Sequence, residues 1–279
     1  MARQNYVTLH GQVMSDPVIY TDEGVPVRAL FYLTIMERPN YNPDGSKSSQ
    51  RYDCPIVISL NRDIIEKIAK LKKYDMVDVT GVLCTIRTNK KNFCKACGKE
   101  NQFEGQGVYV NPIYVCKRES DNMDTRKGRE LLRERAEISN TVYLIGNLCN
   151  DPEYYEESGR IANCSYSLAV NRKIRIAEDP DSMTTDFPWI KTFGSMAVED
   201  HKRLQKGSCV YIHGMLRTRR PERTFTCQHC GETYVELDNV VDIVPYSVEY
   251  LNNLKPSEED GDVEVYYGDE EESTVEPKA

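Results

Sequence analysis

Gly214-Met-Leu-Arg-Thr-Arg-Arg-Pro-Glu-Arg-Thr-Phe-Thr-Cys-Gln-His-Cys-Gly231 follows an alternating stretch, Val210-Tyr-Ile-His213, and gathers arginines, an aromatic ring and a Cys-x-x-Cys-Gly turn into one hairpin-sized segment. The pattern occurs once before. Val77-Asp-Val-Thr-Gly81 leads through Arg87, Lys90, Lys91 and Phe93 to Cys94-Lys-Ala-Cys97-Gly98. The interval from Gly81 to Cys94 and from Gly214 to Cys227 is 13 residues in both cases. A strand, a basic hairpin and a cysteine knuckle in the same register predict a duplicated module.

The duplication extends outward from the hairpins. Val7-Thr-Leu-His-Gly-Gln-Val-Met-Ser-Asp-Pro17 aligns with Val142-Tyr-Leu-Ile-Gly-Asn-Leu-Cys-Asn-Asp-Pro152 at an offset of 135, against 133 at the hairpins. Both stretches alternate apolar and polar residues before a glycine, as a half-buried strand with a bend does, and Asp-Pro ends each. Second strands are Ala29–Ile35 and Asn163–Val170, and third strands Tyr52–Ile58 and Phe187–Phe193. The period then becomes helical at Ile64, Ile65, Ile68, Ala69 and Leu71, and more weakly at Met196, Ala197 and Leu204. Fifth strands return after the knuckles, at Gly107–Val115 and Tyr234–Ile243. Three strands, a helix and two strands is the order of the OB fold, a five-stranded Greek-key barrel suited to oligonucleotides.

The expected organisation is all-β with short helices. Residues 4–116 form OB fold 1 with its knuckle, 117–139 a charged linker, 140–250 OB fold 2 with its knuckle, and 251–279 an acidic disordered tail. The linker's charge density and lone Leu131-Leu132 pair predict an exposed, partly helical segment. Net charge is −8, but residues 257–279 carry ten acids and one base, −9, leaving about +1 for residues 1–256. A near-neutral body with clustered Arg and Lys suits phosphate binding, and an acidic tail reads as a solvated appendage. There is no 18-residue apolar run and no apolar signal core near Met1, so a soluble, cytoplasmic protein is expected.

Copy two carries Asn140-Thr-Val-Tyr-Leu-Ile-Gly-Asn-Leu-Cys-Asn-Asp-Pro152, Ser167-Leu-Ala-Val-Asn-Arg172, Phe193-Gly194 and Lys206-Gly-Ser-Cys-Val-Tyr-Ile-His-Gly-Met-Leu-Arg-Thr-Arg219. In these blocks and their order it resembles the bacterial-type single-stranded-DNA-binding proteins. Copy one is similar to a diverged version, and together they cover roughly residues 4–116 and 140–250. The resemblance implies single-stranded DNA as partner, a homodimer giving four OB folds, and replication or recombination proteins docking on the acidic tail. It places family aromatic positions at Phe187 and Phe193, and at Tyr52 and Ile58 in copy one. Cysteine knuckles are not a usual family feature, and the tail ends Val-Glu-Pro-Lys-Ala279 where the family has an acidic run closing on Pro-Phe.

A binder of single strands needs flat rings beside cations. Stacking contributes roughly 1–3 kcal/mol per base and tolerates any sequence. Copy two offers Tyr166, Phe187, Trp189, Phe193 and Phe225 with Arg172, Arg217, Arg219, Arg220 and Arg223, and copy one offers Phe31, Tyr52 and Phe93 with Arg87, Lys90 and Lys91. Any one strand aromatic could instead fill its barrel, and a basic run alone is often only solvated surface. Phe187, Trp189, Lys191 and Phe193 share one strand face by alternation, and a lysine among three rings fits a wet face better than a core.

Structural zinc takes four N or S ligands in a tetrahedron, and each Cys-x-x-Cys is half such a set. Cys94, Cys97, Cys227 and Cys230 around one Zn²⁺ is the simplest completion. Local sites using Cys84, Cys116 or His229, pairing across chains, and reduced cysteines without metal stay open. Four histidines and no His-Glu-x-x-His or glycine-rich phosphate loop leave an enzyme reading without support. The expected function is sequence-independent binding and protection of single-stranded DNA in replication, recombination or mobile-element and phage DNA transfer. The alternative is a zinc-containing OB-fold assembly factor acting through protein contacts.

Overall fold

The computed structural model describes residues 4–39, 50–119, 121–176 and 184–256. Copy one contains β1 Gln4–Val13, β2 Val18–Asp22, β3 Val25–Met36, β4 Tyr52–Asp53, β5 Ile56–Ser59, α1 Arg62–Ile68, β6 Met76–Phe93 and β7 Glu100–Glu119. α2 Thr125–Glu134 and α3 Ala136–Ser139 follow. Copy two contains β8 Asn140–Leu148, β9 Glu153–Tyr155, β10 Asn163–Asn171, β11 Thr185–Asp186, β12 Trp189–Phe193, α4 Ser195–Arg203, β13 Cys209–Arg219, β14 Glu222–Thr226, β15 Thr233–Leu237 and β16 Val240–Asn252.

Strand pairing closes two five-stranded barrels. In copy one β1 pairs with β3 and β6, β3 with β5, and β6 with β7, and a parallel contact Val57↔Val110 closes β5 on β7. Copy two repeats this circuit and closes through Ile190↔Ile243. Apolar residues alternate inward: Val7, Leu9, Phe31, Leu33, Val57, Ile65 and Leu83 in copy one, and Leu144, Tyr166, Leu168, Ile190 and Ile212 in copy two. The bulges that let β6 and β13 curve around their barrels fall beside Gly81 and Gly214. A Cβ on Gly214 would lie 2.6 Å from the Val244 carbonyl oxygen, and one on Gly81 would overlap that of Asn111, so only glycine allows the close approach.

The copies join edge to edge. β1 and β8 pair antiparallel, with Val7 opposite Val142, its own repeat equivalent. A local twofold therefore passes through that pair, and one continuous sheet runs through both barrels. No helix among the described residues is long and apolar enough to cross a membrane.

Residues 117–139 depart from expectation. β7 continues to Glu119, and the helices that follow are docked, with Leu132 and Ala136 buried against Met36 and Met76. Gln12 donates to the Asp124 carbonyl at 2.9 Å, and the Ser139 hydroxyl donates to the His10 carbonyl at 2.6 Å. In the linear sequence Leu131-Leu132 stands as a lone apolar pair among charges. Leu132 near the end of α2 and Ala136 at the start of α3 together form the apolar patch that docks.

Candidate nucleic-acid interface

Each long hairpin leaves its own barrel and leans on the other. Thr85, on β6, donates its N–H to Asp186 Oδ1 at 2.7 Å and accepts at its hydroxyl from the Phe187 N–H at 2.9 Å. Thr218, on β13, mirrors it. Its N–H and hydroxyl donate to Asp53 Oδ1 at 2.7 and 2.9 Å, and its hydroxyl accepts from the Cys54 N–H at 3.2 Å. Gln106 adds a bond to the Phe187 carbonyl at 2.8 Å.

These contacts fix the repeat alignment. Asp53 matches Asp186 and Val57 matches Ile190, so the third strands align at 133 and not 135. The length change thus lies before the third strand, in the loops between β3 and β4 and between β10 and β11. Phe187, Trp189 and Phe193 correspond to Cys54, Ile56 and Leu60, while Tyr52 corresponds to Thr185. Copy one carries no aromatic ring at any of the three positions, a larger departure than the sequence comparison gave.

A cleft of about 1070 Å³ opens between the base of the β6–β7 hairpin and copy two. Its walls include Leu60, Ile86, Arg87 and Tyr109 from copy one and Phe187 and Trp189 from copy two. Trp189 is also part of a second cleft of about 240 Å³ that runs past Lys191, Arg219 and Arg223. Trp189 and Phe193 are 38% and 40% exposed, and Lys191 Nζ stands 5.9 Å from the Phe193 ring centroid. Phe187 is half-buried.

Other expected binding residues lie elsewhere. Phe31 and Tyr166 are repeat equivalents whose side chains point into the barrels, 1% and 0% exposed, and they are corrected from stacking residues to core. Tyr166 donates to Asp200 at 3.2 Å, as do Thr192 at 2.7 Å and Tyr250 at 2.8 Å. Burial raises the Asp200 pKa against those three bonds. Tyr52 packs on the docked helices, with the Arg129 guanidinium 5.3 Å from its ring. Phe225 lies 4.5 Å from Phe103 between the hairpins, whereas Phe93 is 62% exposed near the tip.

The cations divide sharply. Arg217 pairs with Glu37 at 2.6 Å, Arg219 with Asp242, Lys91 with Glu100 at 2.8 Å, and the buried Arg172 with Asp186 at 2.6 Å. Burial raises the Asp186 pKa, with the Thr85 N–H and Arg172 opposing it. Lys90 and Arg223, repeat equivalents, converge on one buried carboxylate, Asp238. Arg87 and Arg220 are also repeat equivalents, and both are exposed. Neither side chain makes an ion pair or hydrogen bond with another described residue. Composition does not distinguish these cations, because their pairing partners lie far away in sequence. Asp53 and Asp186 were missed, although each precedes an x-Pro at equivalent positions.

The hairpin tips bring four cysteines together. Cys94 and Cys230 Sγ are 3.7 Å apart, as are Cys97 and Cys227, and all four sulfurs lie within 4.8 Å of one another. Gly98 and Gly231, at φ +69° and +75°, close the turns, donating to the Cys94 and Cys227 carbonyls at 2.8 and 2.9 Å. Burial pushes the Cys227 thiol up, but N–H donors from His229 and Cys230 and the neighbouring sulfurs outweigh it and bring its pKa down to about 6. Such a cluster can hold a metal ion. Cys84, Cys116 and His229 are not among its ligand atoms. Cys84 is buried, its thiol pushed up to about 12 by desolvation, and the His229 ring sits 3.1 Å from the Glu100 carbonyl.

The profile of the Single-strand binding protein family matches residues 139–241. A single-stranded DNA-binding protein of Thermotoga maritima is 36% identical over 108 residues, which is 38% of this chain and 72% of that protein. One from Staphylococcus epidermidis is 28% identical over 132 residues, 47% of this chain and 94% of that protein. Among solved structures, the wild-type single-stranded DNA binding protein of Thermus aquaticus is similar with a TM-score of 0.57 at 17% identity, covering 92% of this chain and 97% of that one. A deletion mutant of the same protein gives 0.59 at 19%, covering 92% and 100%. At such identities the likeness is one of fold, and it spans both copies.

Proposed function

The chain belongs to the single-strand binding protein family, and on that premise we propose that it binds single-stranded DNA irrespective of sequence and shields it during replication, recombination or DNA transfer. The observation that carries this reading is the cleft where Trp189 and Phe187 of one copy face Arg87 of the other. Exposed rings give bases a stacking surface, and an arginine whose side chain has no partner among the described residues can meet phosphate. The strand path we infer runs from Arg87 over Trp189, Lys191 and Phe193, with Arg220 as a second phosphate contact. Phe93 and Lys91 lie farther out on the hairpin. Trp189 is the only tryptophan, so its fluorescence reports this site directly. Quenching by oligo-dT, reversed by salt, is expected; an unchanged spectrum at saturating oligonucleotide would favour the assembly-factor alternative.

The cysteine cluster we assign to a structural Zn²⁺. A tetrahedron with Zn–S bonds of about 2.3 Å has sulfur–sulfur edges of about 3.8 Å, and two of the edges here measure 3.7 Å. Cys94, Cys97, Cys227 and Cys230 would hold the ion within one chain and tie the hairpins at their tips. The metal would serve folding, since ligation across distant segments contributes to stability. As for partners, the sheet face carrying Tyr6, Tyr143, His213 and Tyr246 supports a homodimer, because these rings contact one another in a row on the joined sheet. The acidic tail proposed to receive protein partners lies outside the described residues.

A further inference from the structure

The geometry points to the cysteine cluster as an oxidation site at which peroxide replaces the zinc tie with two disulfides between the hairpins, Cys94–Cys230 and Cys97–Cys227. This rests on the zinc assignment above and adds the chemistry by which the site responds to an oxidant.

Three observations carry it. Cys97 and Cys230 are exposed, while Cys94 and Cys227 are 1% and 2% exposed, so each turn presents one sulfur to solvent and shelters the other. Each exposed sulfur stands 3.7 Å from the sheltered sulfur of the opposite hairpin. All four sulfurs lie within 4.8 Å of one another, and both of these contacts cross from one hairpin to the other. Finally, the hairpins are held in register without the sulfurs. Tyr234 accepts from Asn101 at 3.0 Å, Gln228 N–H donates to Asn101 Oδ1 at 3.0 Å, Phe103 packs on Phe225, and Lys90 reaches Asp238. The cross-hairpin pairs thus stay adjacent when metal leaves.

An exposed thiolate attacks the peroxide O–O bond, giving a sulfenic acid and expelling hydroxide, which is protonated to water. The sheltered thiolate of the facing hairpin then attacks the sulfenic sulfur, forming the S–S bond and releasing a second water. For the whole site, four thiolates lose four electrons to two hydrogen peroxide molecules. Four protons are consumed, four waters form and one Zn²⁺ is released. Cys84 and Cys164 are buried and so shielded from the oxidant. Because the new bonds span the hairpins, the stalk stays closed and the cleft at its base keeps its shape. Zinc loss and strand binding are thereby uncoupled.

The test uses the full-length protein purified under reducing conditions. Its zinc is quantified, hydrogen peroxide is added in steps with a chromogenic zinc indicator, and disulfides are mapped by mass spectrometry of a non-reduced digest. Trp189 quenching by oligo-dT is followed in parallel. We expect one zinc released per two peroxides, Cys94–Cys230 and Cys97–Cys227 linkages, quenching retained, and zinc uptake restored after thiol reduction. Cys94–Cys97 and Cys227–Cys230 linkages, sulfinic products, or zinc retained under excess peroxide would overturn the proposal and leave the zinc assignment standing. A reduced protein without zinc would sink both.

Discussion

Asp53 and Thr218 belong to different copies, yet Asp53 Oδ1 accepts both the backbone N–H and the hydroxyl of Thr218, at 2.7 and 2.9 Å. Asp186 receives the Thr85 N–H at 2.7 Å by the same local twofold. The two carboxylates are 0% and 1% exposed, so neither Thr N–H has water to turn to if its acceptor is removed. Asp53→Ala or Asp186→Ala should each lower stability by roughly 1–3 kcal/mol, the cost of an unpaired buried donor. Thermal unfolding followed by circular dichroism measures this; melting unchanged in both variants would show that the hairpins do not depend on these bonds.

Strand binding should rest on copy two. Phe187→Ala and Trp189→Ala should each weaken oligo-dT binding by roughly 1–3 kcal/mol, the value of one stacked base. Tyr52→Ala should change it little, because Tyr52 packs against Arg129 and the docked helices. Anisotropy of a labelled oligonucleotide reads all three, and a larger effect at Tyr52 than at either copy-two ring would reverse the assignment.

The cations should separate by their pairing. Arg87→Ala and Arg220→Ala should each reduce the log–log salt slope of binding by about 0.7, one phosphate contact on a single strand. Arg217→Ala should leave the slope nearly intact and lower stability instead, since it strands Glu37, whose pKa burial already raises. Equal slopes for Arg87→Ala and the wild type would remove the inferred path.

Zinc should be present at one equivalent per chain, and Cys97→Ser or Cys230→Ser should lose most of it. Chelation should lower the melting temperature with both barrels still folded, because the barrel cores lie apart from the tip cluster. Two equivalents would point to separate local sites, and one half to a site shared between chains.

Acid should probe Asp78. Burial raises its pKa, but hydrogen bonds from His10, at 2.6 Å, and Arg118 outweigh it, so the folded value lies below the ordinary 3.8. A depressed carboxylate contributes stability that is present above its unfolded pKa and lost as pH falls through the folded one. Asp78→Asn should therefore be less stable than wild type at neutral pH, and the gap should narrow below about pH 3.8. A gap independent of pH would show that the ionised form adds nothing.

The sequence by itself determined the duplication, the strand–helix order and the cysteine spacing, and with these the barrels and the chance of one shared cluster. Those properties are local: alternation, glycine at a bulge and the 13-residue interval are each written in contiguous residues. Only the tertiary structure decided which side of a strand faces the core. Phe31 stands between Leu30 and Tyr32 and Trp189 between Pro188 and Ile190, so parity alone does not say which face a barrel closes over. It also decided which arginines are already paired, for Glu37 lies 180 residues from Arg217 and Asp238 lies 148 from Lys90. Likewise, the two-residue shift of the third strand became visible through the Asp–Thr bonds that cross the twofold and the barrel-closing contacts of Val57 and Ile190. Long-range pairing depends on how two barrels are set edge to edge, and no window of sequence contains both partners.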